Sequence, residues 1–211
     1  MPDTTPAPKT YRPFIDVILQ TAGNPTLPDG YDTWGFKITR PDLRTYDRGE
    51  TLGGRYRWPW PGGTVTDPAT VVNGQACPDY STGGFCIAKT LAGAASGGYG
   101  HATILLLAYR LADVAGEDSD KRRVSHCLVA EVIDGREAYR ASAGADLAGA
   151  DLTRADLARA DLTDADLTGA DLARAYLTGA DLTRAYLTGA YLTHAKNLDK
   201  AVGYKPVTAD A

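Results

Sequence analysis

Leucine recurs at every fifth position over a long stretch of this chain: Leu147, Leu152, Leu157, Leu162, Leu167, Leu172, Leu177, Leu182, Leu187 and Leu192. Alanine stands two residues before each, from Ala145 to Ala190, so the unit reads Ala-(Asp/Tyr)-Leu-(Thr/Ala)-x. Few structures tolerate that period. An α-helix turns about 100° per residue, so five residues advance about 500° and the leucines scatter around the cylinder. A flat strand alternates its faces, and an odd period sends successive leucines to opposite sides. A chain that turns a corner in every repeat sends each Leu inward. Four corners close a square, and such coils stack by parallel backbone pairing about 4.8 Å apart. A low-complexity Ala/Asp tract would hold no fixed Leu phase.

The repeats from Ala145 to His194 resemble the pentapeptide-repeat family, whose motif is A(D/N)LXX. The resemblance implies a mainly β fold: a short right-handed quadrilateral β-helix of about 2.5 coils, preceded by a small α+β domain. After His194 the phase slips, and AKNLDKAVGY (Ala195–Tyr204) reads as a terminal cap on an edge of unpaired backbone groups. The divisions expected are an extended arm over 1–13, a globular domain over 14–140, the coil over 141–195, and a cap and tail over 196–211.

Several members of that family protect or inhibit DNA gyrase by resembling a duplex. At the strand spacing above, the rod is roughly 12 Å long, and that length of duplex carries about seven phosphate charges. The repeats hold eight Asp against four Arg, a net of −4 spread over four faces. The rod is too short and too neutralised to present a long acidic duplex surface, so gyrase protection or inhibition stands as the alternative to a plain interaction role.

Stacking fixes which side chains form columns. Gly149, Gly169 and Gly189 share one corner; Arg154, Arg174 and His194 share the next. Asp146, Asp166 and Tyr186 form one ladder, Asp151, Asp171 and Tyr191 another, and Tyr176 lies on Asp156. Tyr176, Tyr186 and Tyr191 thus gather near the last coil. Tyrosine is enriched at interfaces, so these three, with Arg154 and Arg174, are interaction candidates. The alternative is that the tyrosines cover the coil's end.

The first 140 residues carry no repeat. The Pro/Thr-rich start reads as an extended arm with a neighbouring subunit as its expected contact. Thr33–Ile38 reads as a strand. RYRWPWPGG (Arg55–Gly63) reads as a short strand entering a Pro-Gly turn, with Trp58 and Trp60 as either a binding platform or core. ACPDYSTGGFCIAKTLAGA (Ala76–Ala94) reads as turns leading to a short helix. Ala102–Leu111 and Arg123–Ile133 read as a hairpin joined by a polar loop, with the second strand feeding the coil and the domain capping the coil's first turn. The order of parts, with GFKI and the Cys77/Cys86 segment, resembles the globular part of uncharacterised phage-encoded pentapeptide-repeat proteins.

No motif for catalysis stands out. Cys77, Cys86, His101, His126 and Cys127 include metal-ligating types but no CxxC pair. GAASGGYGH (Gly93–His101) lacks the Lys and Ser/Thr of a phosphate loop. Three Cys in 211 residues make no disulfide framework, no apolar run reaches membrane length, and the start lacks a signal-peptide pattern. The net charge of −4 argues against general nucleic-acid binding. The expectation is a cytoplasmic (or virion) protein without cofactor or metal, binding a protein partner or its own copies and no membrane or nucleic acid. A small enzyme with its site in the N-terminal domain is the other class left open.

Overall fold

A computed structural model describes residues 10–43, 57–66, 85–94, 103–201 and 203. Its N-terminal part is built on an antiparallel sheet. Helix α1 (Phe14–Thr21) comes first, burying Phe14, Val17 and Ile18, which share one helical face. The strands are β1 (Thr33–Thr39), β2 (Thr64–Thr66), β3 (Phe85–Ala88), β4 (Thr103–Tyr109), β5 (Val114–Glu117), β6 (Lys121–Val124) and β7 (His126–Asp134). Their order across the sheet is β2-β7-β4-β1-β3-β6-β5. Strand β4 lies between β1 and β7 and is apolar on both faces, as a fully covered central strand must be. Its Ile104 and Leu106 meet α1 and the coil, while Leu105, Leu107 and Tyr109 join a second cluster with Trp58, Ile87, Val124, Cys127 and Val129.

The expected pairing of β4 with β7 holds, with Thr103 opposite Asp134 and a bulge between Leu106 and Leu107. Their connection is not a plain loop: it folds into the β5–β6 hairpin, and β6 pairs with β3. Residues 85–88, expected among turns before a helix, form a strand, and only a single 3-10 turn follows at Ala92–Ala94. Of the strand expected before the Pro-Gly turn, Arg57 is a bridging residue and residues 55–56 lie outside those described, while β2 follows the turn. Strand β7 does not run straight into the coil. Asp134 accepts a hydrogen bond from the Arg136 amide (2.9 Å) and starts helix α2 (Gly135–Arg140), whose Tyr139 stacks on Phe14.

The repeats then stack. Parallel bridges join residues twenty apart, from Asp146 with Asp166 to Tyr176 with Lys196. Five-residue repeats therefore recur in the same column every fourth repeat, a β-helix whose interior is Leu and Ala alone from Ala145 to Leu182. Every fifth residue lies at positive φ, from Gly144 and Gly149 to His194, which is the corner the period demands. The sheet domain closes the first turn. Arg12 pairs with Ala145, donating from its amide to the Gly144 carbonyl and accepting from the Asp146 amide (both 2.8 Å). The expected arm is thus tied at its inner end to the chain's own coil through Arg12; residues 1–9 lie outside those described. One hydrophobic cluster runs from α1 and the sheet into the coil without a break.

Candidate interaction surface

The aspartates of the repeats serve the turns first. Asp146, Asp151, Asp156, Asp161, Asp166, Asp171 and Asp181 each accept a hydrogen bond from the amide two residues on, at 2.9–3.2 Å. Such local bonds favour the corner over any helix. At Asp181 the bonds to Thr183 hold the carboxyl below its usual range. Where tyrosine or lysine replaces Asp, at Tyr176, Tyr186, Tyr191 and Lys196, that role lapses and the side chain is left for contact.

The three tyrosines fall on their expected columns. Tyr176 stands one turn above Asp156, Tyr186 above Asp166, and Tyr191 above Asp171. They are 42%, 38% and 65% exposed. Tyr186 meets Tyr11 edge to face, with ring centroids 5.9 Å apart. Lys196 sits 4.4 Å over the Tyr176 ring and donates to its hydroxyl at 2.9 Å. Above Leu182 the interior opens: Leu187 and Leu192 are only half-buried, whereas every repeat leucine from Leu147 to Leu182 is buried. Part of the end is covered, because Gly203, at φ +77°, lies against the Thr183 backbone. Ala201 and Gly203 stand twenty residues after Asp181 and Thr183, and so continue that one column.

Arg154 and Arg174 are exposed at corners, with φ of 60° and 61°, below His194 at 58°. The backbone fixes the column: Arg154 donates to the Ala173 carbonyl (2.9 Å) and Arg174 to the Thr193 carbonyl (3.0 Å). Another corner column is self-paired. Arg184 reaches down one turn to Asp164 with a two-pronged hydrogen bond of 2.8 and 2.6 Å.

Trp58 and Trp60 separate. Trp58 is buried beside Phe85, with Lys37 5.9 Å from its ring, so it belongs to the core and not to a binding platform. A large apolar ring beneath a sheet gains more from burial than from display. Trp60 is 64% exposed and borders a cavity of about 420 Å³ with Leu43, Val132, Asp134 and Arg136.

The residues considered for metal scatter. His126 faces Thr66 Oγ1 through Nδ1 (2.8 Å) and Tyr31 Oη through Nε2 (3.3 Å). Cys86 is disulfide-bonded, although three Cys make no framework of disulfides, and Cys127 is free and buried. Cys77 and His101 lie outside the described residues. Among the described residues no group of three His, Cys, Asp or Glu is placed to hold a metal ion, and no helix is long and apolar enough to cross a membrane. The sheet half-buries an amine: Lys37 donates to the Cys86 carbonyl (3.1 Å), and burial, then the charge of Lys121, lowers its pKa to about 8. Burial pushes the Cys127 thiol up to about 12.

Sequence reasoning missed Tyr11, Lys196 and the Asp164–Arg184 fork. The twenty-residue stacking rule pairs 164 with 184 and 176 with 196, so two of these were legible. Tyr11 was not, because its contact joins chain ends 175 residues apart.

Compared with known proteins, the chain matches the family model for pentapeptide repeats in eight copies, over residues 143–179 and 170–201. No curated protein matches the chain.

Proposed function

Because residues 143–201 are pentapeptide repeats, we propose that this chain is a non-enzymatic interaction protein whose coil is a rigid docking surface. In this reading the coil is a right-handed quadrilateral β-helix of about 2.5 turns, closed at its start and open at its end. The open end is the contact face, with Tyr176, Tyr186 and Tyr191 around it, and a second copy of the chain is one natural occupant.

The observation that carries the reading is the contrast in leucine burial along the coil. Leu147 through Leu182 are enclosed, while Leu187 and Leu192 remain half-covered beneath exposed tyrosines. An unfinished β edge with apolar residues behind it favours a partner. Sedimentation of the full chain at tens of micromolar tests this. Association is expected, and a Tyr186→Asp/Tyr191→Asp double variant should weaken it. A monomer at that concentration rejects self-association, and an oligomer insensitive to the double variant moves the interface to the sheet domain.

A further inference from the structure

We propose that the corner column Arg154–Arg174–His194 is a binding site for an extended acidic segment of a partner protein, an inference that rests on the docking reading of the coil. The coil supplies its own template. At the 164/184 column, two corners away, an arginine at a positive-φ corner grips a carboxylate one turn below it with two hydrogen bonds. Such forks are the strong, geometrically specific kind. The 154/174/194 column presents the same corner geometry, with two arginines and a histidine at successive levels and no carboxylate stacked between them.

The backbone conformation strengthens the case. Positive φ is unfavourable for residues with a Cβ and free for glycine. Glycine fills Gly149, Gly169, Gly179 and Gly189, so the corner itself accepts it. At 154, 174 and 194 the chain accepts that strain at every level of one column, and strain of this kind marks positions kept for their side chain.

Spacing and charge select the ligand. Two stacking steps of about 4.8 Å span about 9.6 Å, and the acidic side chains on one face of an extended peptide recur about every 6.8 Å. Long arginine side chains bridge that difference, so two carboxylates of one strand fit three levels. Lys196 and Tyr176 flank the column's upper part. The column is short, and the molecule around it is net acidic at −4. That suits a brief carboxylate run and opposes a long phosphate backbone, which needs a broad basic surface.

The test is fluorescence anisotropy of the full chain with a fluorescein-labelled peptide of alternating Glu and Ala, at low and physiological salt. Unlabelled peptide, a thymidine oligonucleotide and inorganic phosphate serve as competitors. The peptide should bind and weaken with salt, and Arg154→Gln/Arg174→Gln should weaken it by about tenfold or more. Arg159→Gln, at a different corner, should leave binding unchanged. Arg174→Gly separates binding from folding, because glycine suits that φ: affinity should fall while the melting temperature holds or rises. Absence of peptide binding at low salt, or equal binding by the double variant, overturns the site. Displacement by the oligonucleotide or by phosphate at lower concentration than by unlabelled peptide overturns its assignment to an acidic protein segment. Sedimentation of the same samples keeps the two readings apart. A self-associating chain that binds no peptide loses only this inference, and a monomer that binds peptide loses only the self-association.

Discussion

The sheet and the coil both bury apolar side chains under paired backbone, yet they reach that end by opposite routes. In the coil the bridges from Asp146↔Asp166 to Tyr176↔Lys196 all join residues twenty apart, and the interior from Ala145 to Leu182 is Leu and Ala alone. In the sheet, β1 pairs with β4 at separations from Thr33↔Tyr109 to Thr39↔Thr103, and the buried set includes Arg123 and Thr39. A repeat of one local unit needs no polar group inside, because each corner's aspartate satisfies its own turn. An irregular sheet closes over whatever the connections bring, and Lys37 is the result. Electrostatic sensitivity should therefore reside in the sheet, and pure packing sensitivity in the coil.

The largest effect should come from the middle of the coil. Leu167 has Leu147 below and Leu187 above and is fully buried. Leu167→Ala should cost about 2–5 kcal/mol in chemical denaturation. Thr168→Ala, on the outward position next to it, should stay within about 0.5 kcal/mol. Equal costs would break the phase assignment and with it the comparison.

In the sheet the matching test adds volume instead of removing it. A Cβ at Gly35 would meet Ile87 Cγ2 and stand 3.0 Å from Tyr109 Cε1, both on buried residues. Gly35→Ala should cost about 1–3 kcal/mol, as overpacking does. By contrast Gly169→Ala, at an open coil corner, meets no neighbour within 4 Å and should cost only the strain of its φ of +66°. A larger loss at Gly169 than at Gly35 would reverse the ranking of the two regions.

What was legible in the sequence follows the same division. The coil's phase, its inward leucines and its stacked columns all come from a local period, and the bridges reproduce them residue by residue. The strands at 33–39 and 103–109 were legible because their apolar runs are bounded by turn residues. The β5–β6 hairpin was hidden by its polarity: Lys121 and Arg122 read as loop, yet Arg122 bonds to Tyr109 Oη and pairs with Glu117. The β3 strand was hidden by the Gly-rich stretch before it. Trp58 and Trp60 look alike in sequence, and only the register of β2 against β7 and the cluster behind it decides that one is core and the other surface. Within the candidate site, the tyrosine columns were legible and the contact of Tyr11 with Tyr186 was not, since nothing local signals it.

A third difference between the regions is pH. Lys37 falls from 10.5 to about 8 in the folded chain, so from about 8 to 10.5 the unfolded chain binds more protons and stability rises with pH. Cys127 acts in the other direction. Its folded value of about 12, against 9.0, leaves the unfolded chain with fewer protons above 9.0, and stability falls there. Buried Tyr139, also raised, adds to that fall above 10.0. The clear window is thus about pH 8 to 9, where thermal melts should shift upward. Lys37→Met should flatten that rise and stabilise the chain at neutral pH. The coil's leucine interior contributes nothing to the slope, so a slope that survives Lys37→Met would place the electrostatic burden elsewhere.

The smallest effect belongs to the coil's open end, where the comparison can be sharpened inside a single column. Leu172 is buried one turn below Leu192, which is half-covered. Leu172→Ala should cost about 2–5 kcal/mol, whereas Leu192→Ala should cost about 1 kcal/mol, because much of its apolar area already faces water. That second figure holds for the monomer. If copies meet at this end, Leu192 becomes covered in the assembly, and its loss is then coupled to association. The cost of Leu192→Ala should therefore grow with protein concentration, while that of Leu172→Ala stays constant. Denaturation at low and high concentration measures both. A Leu192→Ala cost that never changes with concentration would leave the open end uncovered in solution, and the docking face would have to be sought on the coil's sides.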